Sequence, residues 1–178
     1  MSKLKISTIN VDYVHNLNLQ IINPPRAGII LYTKYNNVVY FGLGVDISSH
    51  DLTDFGGKRR SNENCLECAL REFNEETCDI FAAAISVEDL SPFLVLYNYK
   101  NLLIFIHIET DVGFSPHHIS ELYLSAATEP SIVGSVENCA ITWLTLADFR
   151  QAYHDRDLMY KKLQKFLSAA PANFYDKL

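Results

Sequence analysis

Three glutamates crowd the end of one short segment, Arg71-Glu72-Phe73-Asn74-Glu75-Glu76. Carboxylate oxygens brought together in this way are the hard ligands that Mg²⁺ prefers, and its remaining positions can take water and phosphate. At about 100° per residue, Leu66, Ala69, Leu70 and Phe73 fall on one face of a helix, and Glu72, Glu75 and Glu76 fall on another. The acidic face is unfavourable by itself. Glu72 repels Glu76 at i,i+4 and Glu75 at i,i+3, at roughly 0.2–0.5 kcal/mol per pair. The negative end of the helix dipole adds about 0.3–1 kcal/mol at low salt. A divalent cation between the side chains would offset that repulsion. The alternative is a solvated acidic face partly neutralised by Arg71.

The surrounding spacing is specific. Gly57 is followed after five residues by Glu63, and after seven more by Arg71-Glu72-Phe73, one residue, then Glu75-Glu76. This resembles the Nudix box, G-x5-E-x7-R-E-U-x-E-E-x-G-U, where U is apolar. The element order around it resembles a Nudix domain over most of residues 20–168. Two positions depart from the pattern: Cys78 stands at the late glycine and Asp79 at the final apolar position. A glycine there lets the chain leave the helix with positive φ. Cys78 would cost about 1 kcal/mol in that conformation, or the helix ends differently. Ile80 is placed to supply the missing apolar contact.

The resemblance implies a hydrolase that cleaves a nucleoside diphosphate linked to another group, using Mg²⁺ or Mn²⁺ and an attacking water. It implies Glu72, Glu75, Glu76 and the backbone carbonyl of Gly57 as metal ligands. Glu72 is the first choice of base, and Glu137, in the loop before the last strand, is a further base or ligand. Arg71 is expected to hold neighbouring carboxylates, and Glu63 is either part of that network or a helix-start carboxylate. Lys58, Arg59 and Arg60 follow the Gly-Gly turn and could meet phosphate oxygens. Tyr97 is a candidate to contact substrate. Cap removal from mRNA and hydrolysis of diphosphoinositol polyphosphates are alternative activities, and a Nudix-fold module that binds nucleotides without turning them over is an alternative of another class. The lead-in Gly42 to Lys58 resembles a Nudix branch of large DNA viruses.

The elements that must position these residues read as α+β: a Nudix-like α/β/α sandwich with a mixed central sheet, in a single domain spanning residues 1–178. Strands are expected at Lys5–Val14, Ala27–Thr33, Val38–Leu43, Phe93–Tyr97, Leu102–Glu109 and Ala140–Leu144. Lys34-Tyr35-Asn36-Asn37 forms a hairpin turn, as does the segment from Tyr97 to Asn101. Ser48–Gly57 reads as loop. Helices are expected at Ser61–Thr77, capped by Ser61 or Asn62, at Ile119–Ala126, and through most of Thr145–Ser168 with Leu146, Phe149, Tyr153, Leu158, Leu163 and Phe166 inward. The pair His117-His118 reads as solvated.

Composition narrows the partners. The chain has 178 residues, 48% hydrophobic and 20% charged, as a globular chain does. Its net charge of −6, from 15 basic and 21 acidic residues, speaks against a long RNA track, although a local basic patch for capped RNA remains compatible with it. No apolar stretch is long enough to span a bilayer and no secretory leader is visible. Cys65, Cys68, Cys78 and Cys139 read as free thiols, although Cys65 and Cys68 are spaced as a CxxC. Free thiols suit a reducing compartment, the cytoplasm, or the host cytoplasm for a viral chain. A small nucleotide-type substrate and a monomer or homodimer are expected.

Overall fold

The computed structural model describes residues 5–7, 24–85, 94–98, 100–109, 115–129, 131–132, 136–155, 157–171 and 173–177. Strands are β1 (Lys5–Ser7), β2 (Arg26–Tyr35), β3 (Val38–Asp46), β4 (Leu52–Thr53), β5 (Phe55–Lys58), β6 (Leu94–Tyr97), β7 (Asn101–Glu109) and β8 (Asn138–Thr145). Helices are α1 (Cys65–Glu76), α2 (Pro116–Ala127), α3 (Leu146–His154) and α4 (Lys161–Leu167), followed by a 3-10 turn at Phe174–Lys177. The rest of the expected Lys5–Val14 strand, Phe93 and Tyr99 lie outside the described residues. No helix among the described residues is long and apolar enough to cross a membrane.

The eight strands form one mixed sheet, and the fold is α+β. β2 runs parallel to β7 and antiparallel to β3 and β5, so both of its edges are paired. Its residues from Ala27 to Thr33 are all buried, and the strand alternation divides them between two cores. Ala27, Ile29 and Leu31 join Leu102, Ile104 and Ile106 under α1 and α2. Ile30 and Tyr32 join Leu103 and Phe105 under α3, α4 and the 3-10 turn. Phe41 stacks on Phe149 at 4.4 Å between ring centres, so it is a core residue on the second face. The sheet is therefore sandwiched between helices, as the pattern predicts.

Several boundaries differ from the sequence reading, each for a local reason. The first hairpin turns on Asn36 and Asn37 alone, both with positive φ (50° and 62°), and Lys34 and Tyr35 remain in the strand. Asparagine tolerates that conformation, and two such residues match the twist of a tight hairpin. The expected loop over Ser48–Gly57 contains β4 and β5. β5 pairs with β2 where Gly28 faces Gly56, a close approach that two glycines permit. The first helix begins later than expected, with Asn64 as its cap. The Asn64 side chain accepts from the N–H groups of Leu66 and Glu67, and Glu67 accepts from the N–H of Asn64.

The last helical stretch is two helices. Between them the chain bridges to β4: the Leu52 N–H donates to Leu158 O, and the Tyr160 N–H donates to Leu52 O, both at 2.9 Å. This turns Leu158 outward, contrary to the expected stripe, and buries Met159 instead. Cys65 and Cys68 are buried free thiols within α1.

α1 ends in a Schellman turn. The Asp79 N–H donates to Asn74 O at 2.9 Å and the Cys78 N–H to Glu75 O at 3.4 Å. Cys78 and Asp79 have φ of 53° and 58°, so the helix leaves through the left-handed region without a glycine. Ile80 packs against the first core, as expected. Strain at Cys78 is measurable by comparing Cys78→Gly with Cys78→Ala, since both remove the thiol. The glycine variant should be the more stable by about 0.5–1 kcal/mol in denaturant unfolding, the strain relieved exceeding the extra freedom glycine gives the unfolded chain.

Candidate active site

Arg71 neutralises much of the acidic face. Its Nε and Nη2 donate to the two carboxylate oxygens of Glu63 at 2.9 and 2.8 Å. Its Nη1 forms ion pairs with Glu72 at 2.8 Å and Glu75 at 3.0 Å, and Nη2 also donates to Lys58 O. One planar guanidinium thus ties three carboxylates to the chain leading into α1. The hydrogen bonds from Arg71 hold Glu63 down at a pKa of about 2, and Glu63 in turn leads the causes that raise the proton affinity of Arg71.

The three glutamates of α1 separate. Glu75 is half exposed and reaches Arg60 at 3.4 Å as well as Arg71. Glu72 lies against the backbone of Gly57, where a Cβ would overlap its carboxylate. Glu76 points into the protein, only 8% exposed, with Oε2 accepting from the Gly56 N–H at 2.9 Å. Burial pushes its pKa up to about 9, with Asp54, Glu137 and Glu72 adding repulsion.

Beneath Glu76 lies an ion pair that the sequence reading missed. Asp54 is fully buried and receives both ends of the Arg26 guanidinium, at 2.7 and 2.8 Å. Arg26 Nη2 also donates to Gly56 O at 3.0 Å. Gly56 is therefore held from both sides, its carbonyl by Arg26 and its N–H by Glu76. Gly28 makes room for Asp54, whose carboxylate occupies the place of a Cβ. Burial disfavours the charge on Arg26, but the attraction and hydrogen bonds of Asp54 together with the attraction of Glu76 outweigh it, and its proton affinity rises. An acidic residue just before Phe55-Gly56-Gly57 was the available signal in the sequence, but its partner lies 28 residues away.

A cavity of about 410 Å³ opens beside Glu76, bounded by Arg26, Asp46, Asp51, Glu137, Asn138 and Tyr160, with the hydroxyl side chains Ser48, Ser49 and Thr53. Glu137 is exposed at its wall, and its carbonyl accepts from the Ile47 N–H. Asp46 accepts from the N–H and hydroxyl groups of Ser48 and Ser49, which hold its pKa down at about 2.

The candidate cations take different places. Lys58 is exposed and uses its carbonyl for Arg71. Arg59 donates to the carbonyls of Pro24 and Glu63, bracing the loop. Arg60 is exposed beside Glu75. Tyr97 is exposed on β6 at the outer side of β7 and does not line the cavity. His117 is exposed on α2, 3.3 Å from Glu121.

Among the described residues, no set of three or more His, Cys, Asp or Glu is already arranged to hold a metal ion. The donors nonetheless suit a hard divalent cation. Glu72 and Glu76 both offer carboxylates against the Gly56-Gly57 backbone, and the buried Glu76 faces other carboxylates. Gly57 O also accepts from the Cys68 thiol at 3.6 Å.

No protein-family model matches the chain, and no curated protein matches it. Among solved structures it is similar to an Ap4A hydrolase from C. elegans, at 18% identity over 80% of this chain and 92% of that one, with a TM-score of 0.48. It is similar to the NUDIX domain of Shewanella oneidensis NrtR, solved with ADP ribose, at 13% identity over 89% and 94% of the two chains and a TM-score of 0.44. A mutT/nudix family protein from Listeria innocua shows 13% identity over 83% and 92%, with a TM-score of 0.44.

Two stability predictions follow from these ion pairs. Asp54→Ala should cost about 3 kcal/mol in urea unfolding, because it strands Arg26, and the double variant Arg26→Met/Asp54→Ala should recover part of that loss. Glu63 has a pKa lowered from 4.5 to about 2, so its contribution is complete above pH 4.5 and disappears as pH falls toward 2. Glu63→Gln should therefore be less stable than wild type at pH 7, and the difference should shrink at pH 3.

Proposed function

We propose that the chain is a divalent-metal-dependent Nudix hydrolase that cleaves the diphosphate bond of a nucleotide-type substrate. The observation that carries this reading is the placement of Glu76. A carboxylate so buried, among Asp54, Glu137 and Glu72, is costly without positive charge, and Arg26 spends its hydrogen bonds on Asp54 and Gly56. The box-like spacing from Gly57 to Glu76 supports the same reading.

In this reading Glu72, Glu76 and the Gly57 carbonyl hold Mg²⁺ or Mn²⁺, with Glu75 at the outer edge. The ion, when bound, supplies charge neutralisation for the diphosphate and acidifies water. Arg71 keeps Glu72 oriented. Glu72, beside Gly57, and Glu137, at the cavity wall, are the two candidate bases for an attacking water. Arg26 holds the Gly56 carbonyl while the N–H of the same residue donates to Glu76. Lys58 and Arg60, both exposed at the mouth of the box, are available to phosphate oxygens.

The test is a hydrolysis panel with Mg²⁺ and Mn²⁺ containing ADP-ribose, diadenosine polyphosphates, nucleoside triphosphates, capped RNA and diphosphoinositol polyphosphates. Turnover of a nucleotide-type substrate should stop with chelator and fall by about a hundredfold or more in Glu72→Gln and Glu76→Gln. Tight nucleotide binding without turnover across the panel would instead identify a binding module.

A further inference from the structure

Cys78 and Cys139 stand at two irregular points of the backbone that meet at one tyrosine. Cys78 lies in the exit turn of α1, two residues after Glu76, with a φ of 53°. Cys139 lies at the start of β8, two residues after Glu137. There the β3–β8 register shifts. Val45 pairs with Ala140 and Asp46 with Asn138, so Cys139 has no partner in that ladder. This is the arrangement of a β-bulge, whose extra residue is left unpaired. Its neighbour Asn138 is fixed over Gly44, where a Cβ would lie 2.6–2.8 Å from the Asn138 amide.

Tyr123 of α2 brings the two cysteines together. Its ring is fully buried, and its hydroxyl donates at 2.7 Å to the carbonyl of Asn138, in the peptide that leads into Cys139. The same hydroxyl is hydrogen-bonded to the Cys78 thiol. Burial pushes the Tyr123 phenol up, and Cys78 and Cys139 both add to the rise, so both sulfurs lie near one oxygen. Cys65 and Cys68 are placed differently. Both are fully buried within α1 and packed in the first core, where the backbone has no slack. Cys78 and Cys139 are only partly buried. A disulfide needs Cα atoms about 4.4–6.8 Å apart, and a turn and a bulge can take up the small shift that closure demands.

We propose that Cys78 and Cys139 are a thiol pair that closes reversibly to a disulfide, fastening the exit of α1 to the start of β8 beside Tyr123. The oxidant is a low-molecular-weight disulfide such as oxidised glutathione. One cysteine thiolate attacks a glutathione sulfur and one glutathione thiolate leaves. The second cysteine thiolate then displaces the other glutathione from the mixed disulfide. The two cysteines give up two electrons and two protons, and one oxidised glutathione becomes two glutathione thiols. Closure ties together the segments that carry Glu76 and Glu137, both of which line the cavity. The inference is independent of the hydrolase reading, since no step in it requires turnover.

The test is treatment of the folded protein with oxidised glutathione at about pH 8, where thiolates are available. Intact mass and non-reducing peptide mapping follow. The protein should lose about 2 Da, the hydrogen of one disulfide, and give one cross-linked peptide pair containing Cys78 and Cys139 that dithiothreitol releases. Its Tm should rise by about 5 °C, because the bridge closes a long loop in the unfolded chain. Cys139→Ala and Cys78→Gly should each abolish both the cross-link and the rise in Tm. A bridge involving Cys65 or Cys68, glutathione that stays on Cys78 or Cys139 without closure, or thiols that all remain free would overturn the proposal. So would a bridge between Cys78 and Cys139 that lowers Tm, since it would form only by distorting the fold. The expected bridge in a protein without turnover would uphold this inference and sink the hydrolase reading alone.

Discussion

The buried pair between Arg26 and Asp54 is the constraint on which the site depends. It joins the start of the central strand β2 to the residue before Phe55-Gly56-Gly57, and its guanidinium also holds the carbonyl of Gly56. The N–H of the same residue donates to Glu76. The ion pair thus fixes backbone as much as charge. Without it, the backbone beside the N–H that donates to a nearly buried carboxylate would lose a brace. An ion pair this deep is a poor source of net stability, because desolvation offsets most of the attraction. Its value here is positional.

Two arginines divide the acidic groups between them. Arg71 gathers Glu63, Glu72 and Glu75 on the outer side of α1. Arg26 answers Asp54 on the inner side. Glu76 falls between the two, close to charge of its own sign, and this imbalance distinguishes the site from an ordinary solvated acidic face. The helix that carries these groups also ends under strain. Its left-handed exit through Cys78 turns the chain at once back toward the core, where Ile80 and Phe81 pack. Residues held in sparsely populated backbone regions persist where the surrounding packing over-determines them.

The cavity lies on the other side of Glu76 and is built differently. Its walls come from β2, β3, β4, β5 and β8, the turn after β3 and the residue before α4, and the acidic helix contributes Glu76. Segments from most of the sheet thus meet the acidic helix at one carboxylate, Glu76.

The sequence was sufficient for the local features. Alternation and apolar periodicity located the central strands, the first helix and its inward face, because each depends on neighbours within a few residues. The spacing from Gly57 to Glu76 identified the candidate chemistry, and Arg71 was legible as a partner for nearby acids because the helix brings i,i+4 residues together. The strands hidden in Ser48–Gly57 were not legible, since their pairing depends on Gly28 meeting Gly56 across the sheet. Nor was the break before α4, which a bridge to Leu52 imposes. Tertiary structure alone decided that Glu75 faces solvent while Glu76 is buried, that Arg26 finds Asp54, and that Asn138 comes to rest over Gly44. Adjacent residues on a helix share a sequence but not an environment, and burial, which sets the cost of a charge or an unmet hydrogen bond, is determined by chain segments far apart in the sequence.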